Sequence, residues 1–350
     1  MINRQIIQPY IDAGYVSEKK HPSLDLWIYN YTPFTQYERK WDDVTMQCRG
    51  LILDGEGKVV ARGFKKFFNL SEHDPADIPN EPFEVFEKMD GSLLIVFWND
   101  GQWVTATRGS FDSEQAGHGM RILNEKGILG QLPKWPGITF LFEVIYPSNR
   151  IVVDYGAEET CVMLGAIEAR CNHELSHDWM TFNMAPKGIP VVKRYDGLTD
   201  FDEIKRMIPN DREGFVVQFA SGMRVKIKGD EYCRLHRILT QVSNKSIYEC
   251  LRDNKPLDDL LERVPDEFYN FVRETIETFR RDYKAILDEC RAVVAGHWGM
   301  SKKEFAESIF KHKYKDVIFD MVNVKDYQSA IWDHLKPVFQ KPFQNRDRVD

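Results

Sequence analysis

The sequence predicts an α+β protein in two parts, and three observations carry that prediction. Up to about residue 230, short apolar runs alternate with Gly, Asp and Asn turn signals, the pattern of mixed, largely antiparallel sheets with a few helices. Beyond about Asp230 the apolar residues recur at intervals of three and four, the sign of amphipathic helices packed on one another. At 350 residues, 43% of them hydrophobic and 29% charged, the chain has room for two globular domains of ordinary size. The expected division is residues 1–243 as the sheet-bearing domain and residues 244–350 as an all-helical C-terminal domain.

Taken in order, the first clear hairpin pairs residues 51–53 with 59–61 across Asp54-Gly55-Glu56-Gly57. A second pairs 92–98 with 102–107 across Asn99-Asp100-Gly101, a turn suited to positive φ. Further strands are expected at 83–87, 139–145, 161–167, 214–219 and 223–228, and helices near 113–125 and 200–208. In the last third, Tyr248, Leu251, Leu260, Leu261, Phe268, Phe271, Val272, Ile276 and Phe279 define the helical stripe, and Pro256 and Pro265 mark helix starts or breaks.

Composition narrows the class. The formal net charge of −7 argues against indiscriminate coating of nucleic acid and leaves room for a local basic groove. Short basic runs exist at Arg62-Gly63-Phe64-Lys65-Lys66, at Arg224-Val225-Lys226-Ile227-Lys228 and at Lys311-His312-Lys313-Tyr314-Lys315; the last reads either as an RNA contact or as a solvated helix face. The N-terminal residues lack the apolar core of a secretion signal, and no stretch approaches the roughly 20 apolar residues of a membrane span, so a cytoplasmic protein without a membrane partner is expected. Six scattered cysteines without a CxxC pair read as reduced thiols. Cys171-x-His173-x3-His177 lacks a fourth ligand and reads as chance spacing at a helix start rather than zinc.

The chemistry centres on Lys88-Met89-Asp90-Gly91-Ser92 between two predicted strands. Gly91 permits a sharp turn and close approach to a ligand, and Asp90 and Ser92 can fix the loop by hydrogen bonds. A lysine amine attacks phosphorus only when neutral, which demands desolvation or neighbouring cations. Lys226 and Lys228 alternate onto one strand face and supply such cations. They read either as a phosphate clamp or as solvated lysines on an edge strand. Glu213 heads the apolar strand Phe215-Val216-Val217, and Glu143 lies within Phe140-Leu141-Phe142-Glu143-Val144. A carboxylate there costs several kcal/mol unless it meets a metal, a hydroxyl or a cation, or lies on a solvent face. Of the adjacent Phe67 and Phe68 only one can line a pocket, and both also read as core residues.

The order KxDGS, FE strand, EGxVV and VKxK resembles the covalent nucleotidyltransferase superfamily of DNA ligases, RNA ligases and mRNA capping enzymes. Ser92-Leu93 replaces the arginine usual after KxDG in DNA ligases and capping enzymes. Together with Cys48-Arg49-Gly50, Lys66-Phe67-Phe68-Asn69-Leu70, Gly109-Ser110 with Ser113–Ala116, and Pro147-Ser148-Asn149-Arg150-Ile151, it resembles the T-even phage RNA ligase 1 family over roughly residues 40–232.

That resemblance implies an ATP-grasp-like nucleotidyltransferase domain and an ATP-dependent RNA ligase using magnesium, with manganese as a substitute. It implies that Lys88 becomes lysyl-AMP, Glu143 contacts the ribose and Glu213 serves the metal. Lys226 and Lys228 hold the α-phosphate, Arg49 and Lys66 reach the outer phosphates, and Phe68, Asp90 and Gly91 complete the nucleotide site. Arg108 stands where the family has lysine, and Ala106 replaces a further family lysine; arginine binds phosphate more rigidly. The implied partner is RNA with 5′-phosphate and 3′-hydroxyl ends, such as nicked tRNA, working with an end-healing kinase or phosphatase, in a host cytoplasm if the source is viral. The helical domain is then expected to choose the RNA. A GTP-dependent capping enzyme or a DNA ligase would carry a C-terminal barrel, which the helical tail does not resemble. A non-catalytic RNA-binding descendant would be expected to lose Lys88 or the 226/228 pair.

Overall fold

The computed structural model describes residues 2–240, 243–261, 264, 269–296 and 299–337; Phe268 and Pro265 lie outside them. The chain divides into two compact units, Met1–Leu239 and Thr240–Asp350. The division precedes the expected one by a few residues and falls at the end of the helix that follows the VKxK strand.

In the first unit the strands are β1 Val16–Lys20, β2 Leu26–Tyr31, β3 Arg49–Asp54, β4 Val59–Ala61, β5 Phe68–Asn69, β6 Phe83–Lys88, β7 Ser92–Asn99, β8 Gln102–Ala106, β9 Ile138–Ile145, β10 Thr160–Glu168, β11 His173–Glu174, β12 Arg194–Tyr195, β13 Gly214–Phe219 and β14 Arg224–Lys228. The helices are α1 Arg4–Asp12, α2 Pro33–Tyr37, α3 Glu114–Glu125, α4 Ile128–Gln131, α5 His177–Asn183, α6 Phe201–Arg206 and α7 Asp230–Thr240. Three sheets result, in the orders β1-β2-β3-β4, β11-β10-β9-β7-β8 and β12-β6-β13-β14-β5. Both expected hairpins form, the second turning through Asp100 and Gly101 at positive φ.

Period-two alternation decides which face of each sheet is apolar. On β7, Leu94 and Val96 join one core with Phe140, Phe142 and Val144 of β9 and with α3. Ile95 and Phe97 join another with Leu141, Leu26 and Ile52. Glu143 therefore emerges on the Leu141 face. In the third sheet Val85, Phe215, Val217, Phe219, Val225 and Ile227 close on Ile204 of α6, which leaves Lys88, Lys226 and Lys228 on the opposite face.

The second unit is helical in its described residues: α8 Asn244–Arg252, α9 Leu257–Leu261, α10 Tyr269–Ala295, α11 Lys302–Ile309, α12 Lys315–Val322 and α13 Tyr327–His334. Ile286, Cys290, Ile309, Val317, Ile318 and Ile331 form its core, and the Tyr248 hydroxyl donates to the Trp332 carbonyl at 2.8 Å. Phe271, expected in the packed stripe, is exposed. The buried face of α10 runs through Val272, Ile276, Phe279 and Ile286, so Phe271 falls at its margin. Among the described residues no helix is long and apolar enough to cross a membrane.

Candidate active site

Lys88 ends β6 and Ser92 begins β7, so the intervening loop steps from the third sheet to the second. Register then aligns the charges. Gly214 of β13 is paired with Lys88 on one side and with Lys228 on the other. The two lysines flank Gly214, whose backbone lies too close to Ile227 for a side chain, and Glu213, one residue earlier, reaches both. Lys88 Nζ donates to Glu213 Oε2 at 2.8 Å, and Lys228 Nζ lies 3.2 Å from Oε1. Glu213 is only 3% exposed. Its burial favours protonation, yet Lys88 and Lys228 outweigh that and hold its carboxyl below the ordinary glutamate value.

Glu143 approaches from the other sheet. Its Oε1 accepts the Gly91 N–H at 3.1 Å. Burial pushes its pKa up to about 7 against the attraction of Lys88, with Glu213 adding to the rise and the Gly91 N–H and Arg49 opposing it. A β-carbon on Gly91 would stand 2.5 Å from the Val144 carbonyl oxygen and 3.1 Å from Glu143 Cγ, so only glycine lets the loop lie against β9.

Asp90 is 2% exposed. Its Oδ2 accepts the N–H groups of Val152 and Val153 at 2.9 and 2.7 Å, and its Oδ1 accepts the Tyr232 hydroxyl at 2.8 Å. The Asp90 N–H donates to the Tyr155 hydroxyl at 3.0 Å, whose pKa burial pushes up to about 12. Asp90 thus anchors the lysine loop, and its hydrogen bonds are spent on the protein. Ser92 Oγ donates to Asn149 Oδ1 at 3.2 Å, and Asn149 Nδ2 to the Val144 carbonyl at 3.2 Å. Tyr232 also places its ring 5.2 Å from Lys228 Nζ. Of these partners, Asn149 lies in the 147–151 segment singled out from sequence, whereas Tyr155 and Tyr232 carried no sequence signal.

The remaining expected residues fall into two groups. Phe67 carries Arg49 and Lys226 over its ring, at 5.8 and 5.2 Å. Phe68, the first residue of β5, has other neighbours. It joins Tyr31 and Trp41 around Lys66, whose Nζ is 5.2 to 5.4 Å from the three rings and 3.3 Å from Gln36 Oε1. Lys66 is 2% exposed and sits in this aromatic enclosure. Arg108 belongs to the same cluster, donating to the Tyr31 hydroxyl at 3.0 Å. His177, from the cysteine-histidine spacing, opens α5 and bonds the Val192 carbonyl through Nε2 at 2.8 Å.

With this geometry in place, comparison with known proteins finds the RNA ligase family matched over residues 47–232, more than half of the chain. The chain belongs to the RNA ligase family, in the T4 RNA ligase 1 group. The matched span contains every residue of the Lys88 cluster, from Arg49 to Tyr232. Among the relatives of this chain, a protein of Autographa californica nuclear polyhedrosis virus named as a bifunctional polynucleotide kinase/RNA ligase is 29% identical over 281 residues, covering 73% of this chain and 40% of its own. A protein of Thermovibrio ammonificans named as an RNA ligase is 27% identical over 244 residues, covering 65% of this chain and 60% of its own. The chain therefore spans less than two thirds of either relative. Among solved structures, a mutant Naegleria gruberi RNA ligase with AMP and Mn is similar at a TM-score of 0.43 and 15% identity, over 52% of this chain and 61% of that one.

Proposed function

We propose that this chain is an ATP-dependent RNA ligase that seals 5′-phosphate and 3′-hydroxyl RNA ends through an AMP carried on Lys88. The observation that carries the reading is the row Lys88, Glu213 and Lys228, closed at 2.8 and 3.2 Å around a buried carboxylate. In the first step the Lys88 amine attacks the α-phosphorus of ATP. An N–P bond forms, the bond to pyrophosphate breaks, and Glu213 Oε2 is the acceptor already in place for the lysine proton. Lys228 and Lys226 then neutralise the charge that builds on the phosphate oxygens. The RNA 5′-phosphate next displaces Lys88 from AMP, forming a pyrophosphate link. Finally the 3′-hydroxyl attacks the RNA phosphorus and AMP departs.

Magnesium binds through one or two carboxylates plus nucleotide phosphates, and Glu143 and Glu213, which converge on Lys88, are the residues that would hold it. When bound, it neutralises the pyrophosphate leaving group. Repair of nicked tRNA beside an end-healing kinase or phosphatase fits this reading, and the kinase/RNA ligase name of the viral relative supports that pairing. RNA choice falls to the helical unit, residues 240–350.

The test is incubation with magnesium or manganese and ATP or GTP labelled at the α-phosphate, followed by a denaturing gel. Label from ATP that disappears in Lys88→Ala supports the reading. Label from GTP alone would move it to capping, and no label from either would end it.

A further inference from the structure

Beside the lysine loop lies a cleft of about 170 Å3 walled by Asp90, Asn149, Arg150, Val153, Asp154 and Tyr155. It is smaller than the roughly 300–1,000 Å3 that encloses a whole drug-sized ligand, so it takes one sugar or base of a longer chain. The cleft is built onto the reacting loop. Asn149 accepts the Ser92 hydroxyl, the Tyr155 hydroxyl accepts the Asp90 N–H, and Asp90 lies two residues from Lys88. None of the steps assigned above to Lys88, Glu213 or Lys228 uses the segment 147–156.

We infer that this cleft receives the ribose of the acceptor RNA's 3′-terminal nucleotide, its 2′-hydroxyl facing Asp154 and its preceding phosphate facing Arg150, which leaves the 3′-hydroxyl for attack. The inference rests on the RNA ligase reading and names the subsite for one of its two RNA ends. Charge selects that end. Two carboxylates in the wall, Asp90 and Asp154, repel a terminal phosphate, whereas a carboxylate accepts hydrogen bonds from sugar hydroxyls. Arg150 Nη1 is paired with Asp154 at 2.7 Å, with side chains 53% and 61% exposed. A pair this exposed is weak and opens readily, which releases the guanidinium for phosphate and the carboxylate for ribose. The Tyr155 ring supplies a flat wall against which a sugar or base packs.

The experiment supplies RNA already adenylylated at its 5′ end, so that sealing depends on the acceptor alone. Sealing rate is measured against acceptor concentration for the wild-type protein, Arg150→Ala and Asp154→Ala, with acceptors ending in ribose or in 2′-deoxyribose. The acceptor KM is expected to rise about tenfold in each variant, the loss of a hydrogen bond to a charged group. Asp154→Ala is also expected to discriminate less between the two sugars. ATP labelling of Lys88 in the same preparations reports that each variant is folded and tests the ligase reading separately. Unchanged acceptor KM in both variants, with Lys88 still labelled, would overturn the subsite and leave the ligase reading standing. Absence of label in the wild-type protein would overturn both.

Discussion

Lys88 ends β6 and Glu213 immediately precedes β13, 125 residues apart in sequence, and they meet at 2.8 Å because Gly214 is the register partner of Lys88. Glu213 is bound by Lys228 as well, so one buried carboxylate separates two ammonium groups. Glu213→Gln keeps the shape and removes the charge. The expected cost is about 3 kcal/mol in urea unfolding, as for a broken buried ion pair, and labelling of Lys88 by ATP is expected to fall at least about a hundredfold. Adding Lys228→Met should restore stability without restoring labelling. A Glu213→Gln protein as stable as the parent would show that the pair carries no weight in folding.

The Glu143 carboxyl has a folded-state pKa of about 7 against an ordinary 4.5. A raised acid pKa means that the protonated form is the one the fold favours. Its contribution to stability is therefore complete below about pH 4.5 and is lost as pH rises through about 7. Glu143→Gln mimics the protonated side chain and lacks the titration. In metal-free buffer, the melting temperature of Glu143→Gln minus that of the parent is expected to climb between about pH 5 and about pH 8. A difference that stays flat over that range would remove the raised pKa.

Two glycines hold the backbone where side chains would collide. A β-carbon on Gly91 meets the Val144 oxygen at 2.5 Å, and one on Gly214, at φ +147°, meets the Ile227 oxygen at 2.0 Å. Either alanine substitution is expected to cost about 1–3 kcal/mol and to lower Lys88 labelling at least about tenfold by displacing the loop or the Glu213 strand. Gly117, inside α3 with open space around it, is the control. Gly117→Ala is expected to raise stability by about 0.5–1 kcal/mol with labelling unchanged, both read from thermal melts and the same gel.

What could be read from the sequence was what short-range chemistry controls. Strands β7, β9 and β13 follow from apolar alternation bounded by turn residues, and Lys226 and Lys228 share a face because the strand period is two. The hairpin β1–β2 was not anticipated, since Val16–Lys20 is mostly polar and leans on one buried valine. Long-range pairing was equally hidden. That Phe67 rather than Phe68 meets Arg49 and Lys226 depends on the parallel pairing of β5 with β14, and the enclosure of Lys66 depends on Tyr31 and Trp41, which lie outside every motif. The anchoring of Asp90 by Tyr232 joins residues 142 positions apart, which no local pattern encodes.

That last contact yields a prediction that separates anchoring from charge. The Tyr232 hydroxyl donates to Asp90 while its ring lies under Lys228. Tyr232→Phe removes the first interaction and keeps the second, whereas Tyr232→Leu removes both. Losing a hydrogen bond to a buried carboxylate is expected to cost about 1.5–3 kcal/mol, and Tyr232→Leu should cost more because Lys228 loses its aromatic support. With the loop still held at Val152, Val153 and Tyr155, Tyr232→Phe is expected to keep its apparent KM for ATP and lower the rate of Lys88 labelling. The ring-less variant is expected to raise that KM as well, because Lys228 is then misplaced. If the two variants weakened rate and KM alike, the hydroxyl and the ring would not have the separate duties that the geometry gives them.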